Sequence, residues 1–168
     1  MQKYSLLFCL FILVLTTANA NPADTVIEKK QYQTKRLTGT VVLDGIPSEE
    51  IWNTVEWGGN FTQWQPNVGK APSQPTQFKI LYDDKFLYIA YNCIDGASDS
   101  IVKRMGRRDQ FPGDWVEINL DSYHDLRSGF SFTLSVSGVR SDEFISNNSS
   151  WDPSWNPIWF AKTHVNKG

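Results

Sequence analysis

The chain has 168 residues, with 16 Lys and Arg against 18 Asp and Glu and a formal net charge of −2. This balance lacks the basic footprint of a nucleic-acid binder, so nucleic acid is excluded as a partner. With Cys9 inside the N-terminal apolar run, Cys93 and two His remain, too few for a Cys/His zinc site.

Residues 1–20 read as a cleaved signal peptide. Lys3 gives a short basic region, 4–17 is almost uninterruptedly apolar, and Ala18-Asn19-Ala20 is a small-residue cleavage pattern. The apolar run is too short for a comfortable membrane span, which predicts removal rather than anchoring. Cys9 lies inside the run rather than after it, against a lipoprotein. The expected location is periplasmic, outer-membrane-associated or extracellular. After removal Cys93 is the only cysteine, so no intramolecular disulfide is expected, and all seven Trp remain. The remainder is one domain's length of chain. Residues 21–37 are polar and aperiodic, with Lys29, Lys30, Lys35 and Arg36 scattered through them, and read as a flexible or loosely docked lead-in.

From residue 38 the pattern is β. Residues 37–43 are rich in Thr and Val and end at Asp44-Gly45, a turn signal. Pro47-Ser48-Glu49-Glu50 opens a short helical segment with Ile51, Trp52 and Val55 on one face, which places Trp52 in the core. Residues 76–82 alternate, with Phe78, Ile80 and Tyr82 opposite Gln77 and Lys79. Asp83-Asp84-Lys85 is a tight connection, and 86–93 reads as a central strand covered on both faces. Residues 115–121 put Val116, Ile118 and Leu120 opposite Glu117, Asn119 and Asp121. Residues 129–137 alternate most cleanly, with Phe130, Phe132, Leu134 and Val136 predicted inward and Ser131, Thr133, Ser135 and Ser137 outward. Residues 139–145 follow the turn at Gly138, and 159–165 suggest one more strand. The fold class is all-β: an antiparallel β-sandwich with one short helix.

Two long loops interrupt these strands, where recognition on a sandwich usually sits. Residues 95–113 carry Lys103, Arg104, Arg107 and Arg108. Residues 146–157 carry Trp151 and Trp155 among Asn, Asp and Pro. The four-residue spacing of Trp151, Trp155 and Trp159 would form a helical stripe, but Pro153 and Pro157 argue against a helix. Indoles in a polar, proline-punctuated segment suit the apolar face of a sugar ring. A plate covering roughly 100 Å² gives about 2.5 kcal/mol at about 25 cal/mol/Å². The alternative is that they fold down to cap an open end of the sandwich. Trp64, flanked by Gln63 and Gln65, is a second candidate plate or a packed loop anchor. Arg104, Arg107 and Arg108 suit forked hydrogen bonds to sugar hydroxyls or a carboxylate, or a solvated loop.

Glycoside hydrolysis needs two carboxyls facing across a cleft. Glu49, Glu50, Glu117, Asp121, Asp142 and Glu143 are available, but no spacing singles out a pair. Asp114 and Asp121 flank one strand and are expected to accept backbone N–H bonds. With Asp125 they do not match a calcium-loop spacing.

An ordered series of segments resembles the family 9 carbohydrate-binding module and its relatives. It comprises Leu43-Asp44-Gly45 with Glu50-Ile51-Trp52; Phe61-Thr62-Gln63 with Pro66 and Gly69; and Leu81-Tyr82-Asp83-Asp84-Lys85-Phe86-Leu87-Tyr88-Ile89-Ala90. Asp114-Trp115-Val116-Glu117-Ile118-Asn119-Leu120-Asp121 and Gly129-Phe130-Ser131-Phe132 continue it, ending in Gly138 and Asp142. Arg107-Arg108 and the Trp-rich loop are similar to modules at the N-terminus of large exported bacterial proteins with an outer-membrane β-barrel. The resemblance implies a β-sandwich that binds saccharide, in some members between two Trp rings, with structural calcium in some relatives; no other cofactor is implied. It assigns a stacking role to Trp64, Trp151 and Trp155 and no calcium ligands.

Related modules continue with further β-structure where this chain ends at Gly168, so 38–168 is expected to be a module incomplete at its C-terminus, part of a longer protein of carbohydrate catabolism. The reading is an exported, noncatalytic saccharide-binding module, with saccharide and a downstream β-barrel or hydrolase domain of the same protein as expected partners. The alternatives are an interaction domain of a barrel protein that binds no sugar, and part of a glycoside hydrolase.

Overall fold

The computed structural model describes residues 29–110 and 113–166. The predicted signal peptide at 1–20 and residues 21–28 of the lead-in lie outside them. Contacts divide the chain into units Met1–Gln31 and Tyr32–Gly168, and every strand among the described residues belongs to the second.

The second unit is an all-β sandwich of two sheets. Strands β1 (Lys35–Arg36), β2 (Thr76–Tyr82) and β3 (Leu87–Cys93) form the first, in order β1-β2-β3. Strands β4 (Trp115–Leu120), β5 (Gly129–Ser135), β6 (Arg140–Ser146) and β7 (Ser150–Asp152) form the second, antiparallel throughout and in chain order. β1 runs parallel to β2, and β2 and β3 make a hairpin. Its turn is set by Asp83, whose Oδ1 accepts the N–H groups of Lys85 and Phe86 at 2.7 and 2.8 Å.

The short helix is a 3-10 segment, Glu50–Thr54. It seats Trp52 and Val55 against Leu81 in the core, with Leu37, Val41, Ile51, Tyr88 and Ala90 packed around them. Lys79 is buried beside them: its ammonium donates to the Trp52 carbonyl at 2.6 Å and lies 4.8 Å from the Trp57 ring centroid. Those two partners offset the cost of desolvating the charge. On β2 the alternation is as predicted, but the face covered most deeply is the one holding Lys79 and Leu81, because the 3-10 segment packs there.

Three expectations are corrected. Residues 37–43 form no strand. Gly39 has φ +107° and the Val42 N–H bonds to the Glu49 carboxylate at 2.6 Å rather than to a neighbouring strand. β3 is an edge strand of its sheet among the described residues, with exposed ends, rather than a central one. Residues 159–165 make no ladder; they run alongside the second sheet, held in part by a hydrogen bond from Arg140 to the Trp159 carbonyl.

Candidate functional site

The second sheet has two faces of different chemistry, set by cross-strand register. On one face Val116, Ile118 and Leu120 of β4 oppose Leu134, Phe132 and Phe130 of β5, and these in turn oppose Arg140, Asp142 and Phe144 of β6. Trp155 closes this face, its ring 4.8 Å from Phe130 and 5.5 Å from Phe132, and Trp159 lies 5.4 Å from Phe132. Asp142, 1% exposed, accepts hydrogen bonds there from Arg108 and, at 2.9 Å, from the Trp159 indole.

The opposite face is a polar lane. Trp115, Glu117 and Asn119 of β4 stand across from Ser135, Thr133 and Ser131 of β5; beyond these come Ser141 and Glu143 of β6, then Ile145 paired with Trp151 of β7. Ser131, Thr133 and Ser135 were expected to point outward into solvent. They are instead 1%, 2% and 1% exposed, whereas Phe130, Phe132 and Leu134 are only half-buried. Ser131 sits between the longer side chains of Asn119 and Glu143 on the flanking strands, while the Phe rings reach beyond their covering residues. Glu117 is held by two donors, Asn119 Nδ2 at 2.8 Å and Thr133 Oγ1 at 3.1 Å. Burial first, then the charges of Glu117 and Asp109, push the Glu143 carboxyl above its usual value. The Ser131 hydroxyl is buried without a hydrogen-bond partner.

The predicted site residues distribute unevenly over this scaffold. Trp64 is 80% exposed on a loop pinned by Gln63, whose amide donates to the Ala71 carbonyl at 2.7 Å. Trp151 is 44% exposed and lies on β7, a strand rather than a loop. The hairpin that makes it so turns through Asn147 and Asn148, at φ 50° and 63°, with the Ser149 N–H bonded to the Ser146 carbonyl. Trp155 is half-buried against the Phe face. Arg104 and Arg107 are exposed. Arg108 is turned inward to Asp142 and to the Pro157 carbonyl at 3.2 Å, which fixes the C-terminal segment.

Shallow clefts open among the described residues. One of about 220 Å³ is lined by Phe61, Thr76, Tyr91, Trp115 and Glu117; another, about 240 Å³, by Met105, Arg108, Gly138 and Arg140. Trp64, Arg104, Arg107, Trp151 and Trp155 line neither. Trp115, Asn119, Ser131 and Thr133 are polar-face residues that were not singled out for a site. Their signal was present as two period-two polar rows, on 115–121 and 129–137.

The carboxylates flanking β4 do not fit a calcium site. Asp114 Oδ2 accepts the Val102 N–H at 2.9 Å, and Asp121 accepts those of Asp125 and Leu126 at 3.1 and 3.0 Å. Asp125 is occupied by Ser128, through its N–H and hydroxyl, and then by the Arg127 N–H, which hold its carboxyl down at about 2. Among the described residues no group of three or more His, Cys, Asp and Glu side chains is placed to hold a metal ion.

Residues 42–150 match a family model described as carbohydrate family 9 binding domain-like. That span includes Trp64, Arg104, Arg107 and the polar lane up to Ile145, and stops just before Trp151. No curated protein and no solved structure matches the chain.

Proposed function

Because the chain belongs to the carbohydrate family 9 binding domain-like family, we propose that it is an exported, noncatalytic module that binds saccharide by indole stacking. The observation that supports this most is the exposure of two flat rings on constrained backbone: Trp64 on a loop closed by its own hydrogen bonds, and Trp151 on a strand beside a hydroxyl-rich face. An exposed indole at a fixed position binds a sugar ring without first being ordered, which removes one cost of association. Arg104 and Arg107 supply donors for the hydroxyl rim.

Trp155, expected as a third plate, is better suited to support: its ring is engaged by Phe130 and Phe132. Export through residues 1–20, attachment to a downstream barrel or hydrolase domain, and a place in carbohydrate catabolism are part of the same proposal.

The test is titration of the full chain against a panel of neutral oligosaccharides, read by Trp fluorescence, with circular dichroism to show that it is folded. Binding in the millimolar to micromolar range is expected. Replacing Trp64 or Trp151 by Ala should cost more than about 1 kcal/mol of it, part of one plate's share. A folded chain that answers to no glycan favours the interaction domain instead.

A further inference from the structure

The polar lane holds two carboxylates, Glu117 and Glu143, on either side of β5, with Asp109 adding a third negative charge near Glu143. Neither Glu117 nor Glu143 is in an ion pair among the described residues. Between them, directly opposite both Asn119 and Glu143, lies Ser131, whose hydroxyl is buried and without a partner. A polar group buried in this way is uncommon in a folded protein and calls for an explanation.

We propose that this lane binds the ammonium group of an amino sugar, with Glu117 and Glu143 facing the charge and the Ser131 hydroxyl taking a further hydrogen bond. This rests on the saccharide reading and names the class of saccharide. The two carboxylates stem from backbones two strand spacings apart and two residues along, roughly 12 Å. Among the described residues no third His, Cys, Asp or Glu joins them in a group that could hold a metal ion. Trp115 and Trp151 stand on the same face, three strands apart and displaced along the strands by six residues of register. That separation, roughly 20 Å along the strands, excludes clamping a single ring between them and suits an oligomer laid across the lane. Glu117 is already fixed by Asn119 and Thr133, so it does not need to be ordered on binding.

The experiment compares the full chain with glucosamine hexamer and with the fully N-acetylated hexamer, by calorimetry at neutral pH and two salt concentrations. The inference expects at least tenfold tighter binding of the glucosamine hexamer, weakened by added salt, and loss of that preference in Glu143→Gln. Ser131→Ala, with a clean fold by circular dichroism, is expected to reduce it several-fold. Equal binding of the two hexamers overturns the inference and leaves saccharide binding standing. An undiminished preference in folded Glu143→Gln overturns it as well. Binding of neutral glycans with no answer to either hexamer does the same.

Discussion

The indole N–H of Trp159 donates to the buried carboxylate of Asp142 at 2.9 Å, and Arg108 donates to the same oxygen. One side chain of β6 therefore joins the Arg-rich loop and the C-terminal segment to the sheet. Removing it strands an indole N–H and a half-buried guanidinium. Asp142→Ala is expected to cost about 3 kcal/mol, the range for breaking a buried pair. Asp142→Asn, which keeps an acceptor, should cost less. Urea denaturation of the two variants checks this; equal losses would contradict it.

The two exposed-looking tryptophans of the sequence separate by stability. Trp155→Ala removes contacts with Phe130 and Phe132 and is expected to cost about 2–3 kcal/mol, below the full-burial range because the ring is half-buried. Trp64→Ala, at a ring 80% exposed, should fall within about 0.5 kcal/mol of the parent. Thermal or urea unfolding distinguishes them, and a reversed order would contradict the assignment of roles.

Tyr91 gives a pH dependence. Its hydroxyl donates to the Glu117 carbonyl at 3.3 Å, and burial, with Cys93 and Glu117 behind it, pushes the phenol up to about 12 from an ordinary value of 10. Because the folded value is raised, the stability it contributes is complete below pH 10 and is lost as pH rises from 10 to about 12. Unfolding free energy measured across that window should fall more steeply for the parent than for Tyr91→Phe. Identical slopes would contradict the assignment.

The β6–β7 turn places two asparagines at positive φ. Asn148→Gly is expected to stabilise the hairpin by up to about 1 kcal/mol, and Asn148→Ala to destabilise it by a similar amount. Fluorescence of Trp151 should change with the second and not the first. Stabilisation by Ala would show that the turn has another geometry.

The strands were legible where period-two alternation is unbroken: β2 has the predicted bounds, and β4 and β5 differ only at their C-terminal ends. Trp52 was legible as core because helical spacing put it beside Val55. Which face of a strand is covered was not legible, because alternation separates two faces without saying what packs on each. Ser131 and Lys79 are buried for reasons lying on other strands and on the 3-10 segment. β7 was missed because Asn147-Asn148 in a polar stretch reads as loop until the positive φ of both is seen. Trp151 and Trp155, four residues apart in one segment, are placed differently: one lies on β7 beside the polar lane and the other turns onto Phe130.

The most direct test of the saccharide account follows the indole N–H resonances of the full chain by NMR, each assigned by single substitution, as a bound oligosaccharide is titrated in. The account predicts that Trp64 and Trp151 shift with a common saturation curve while Trp155 and Trp159 stay nearly still. Shifts confined to Trp155 and Trp159, or none in any indole of a chain that binds the sugar, would contradict it.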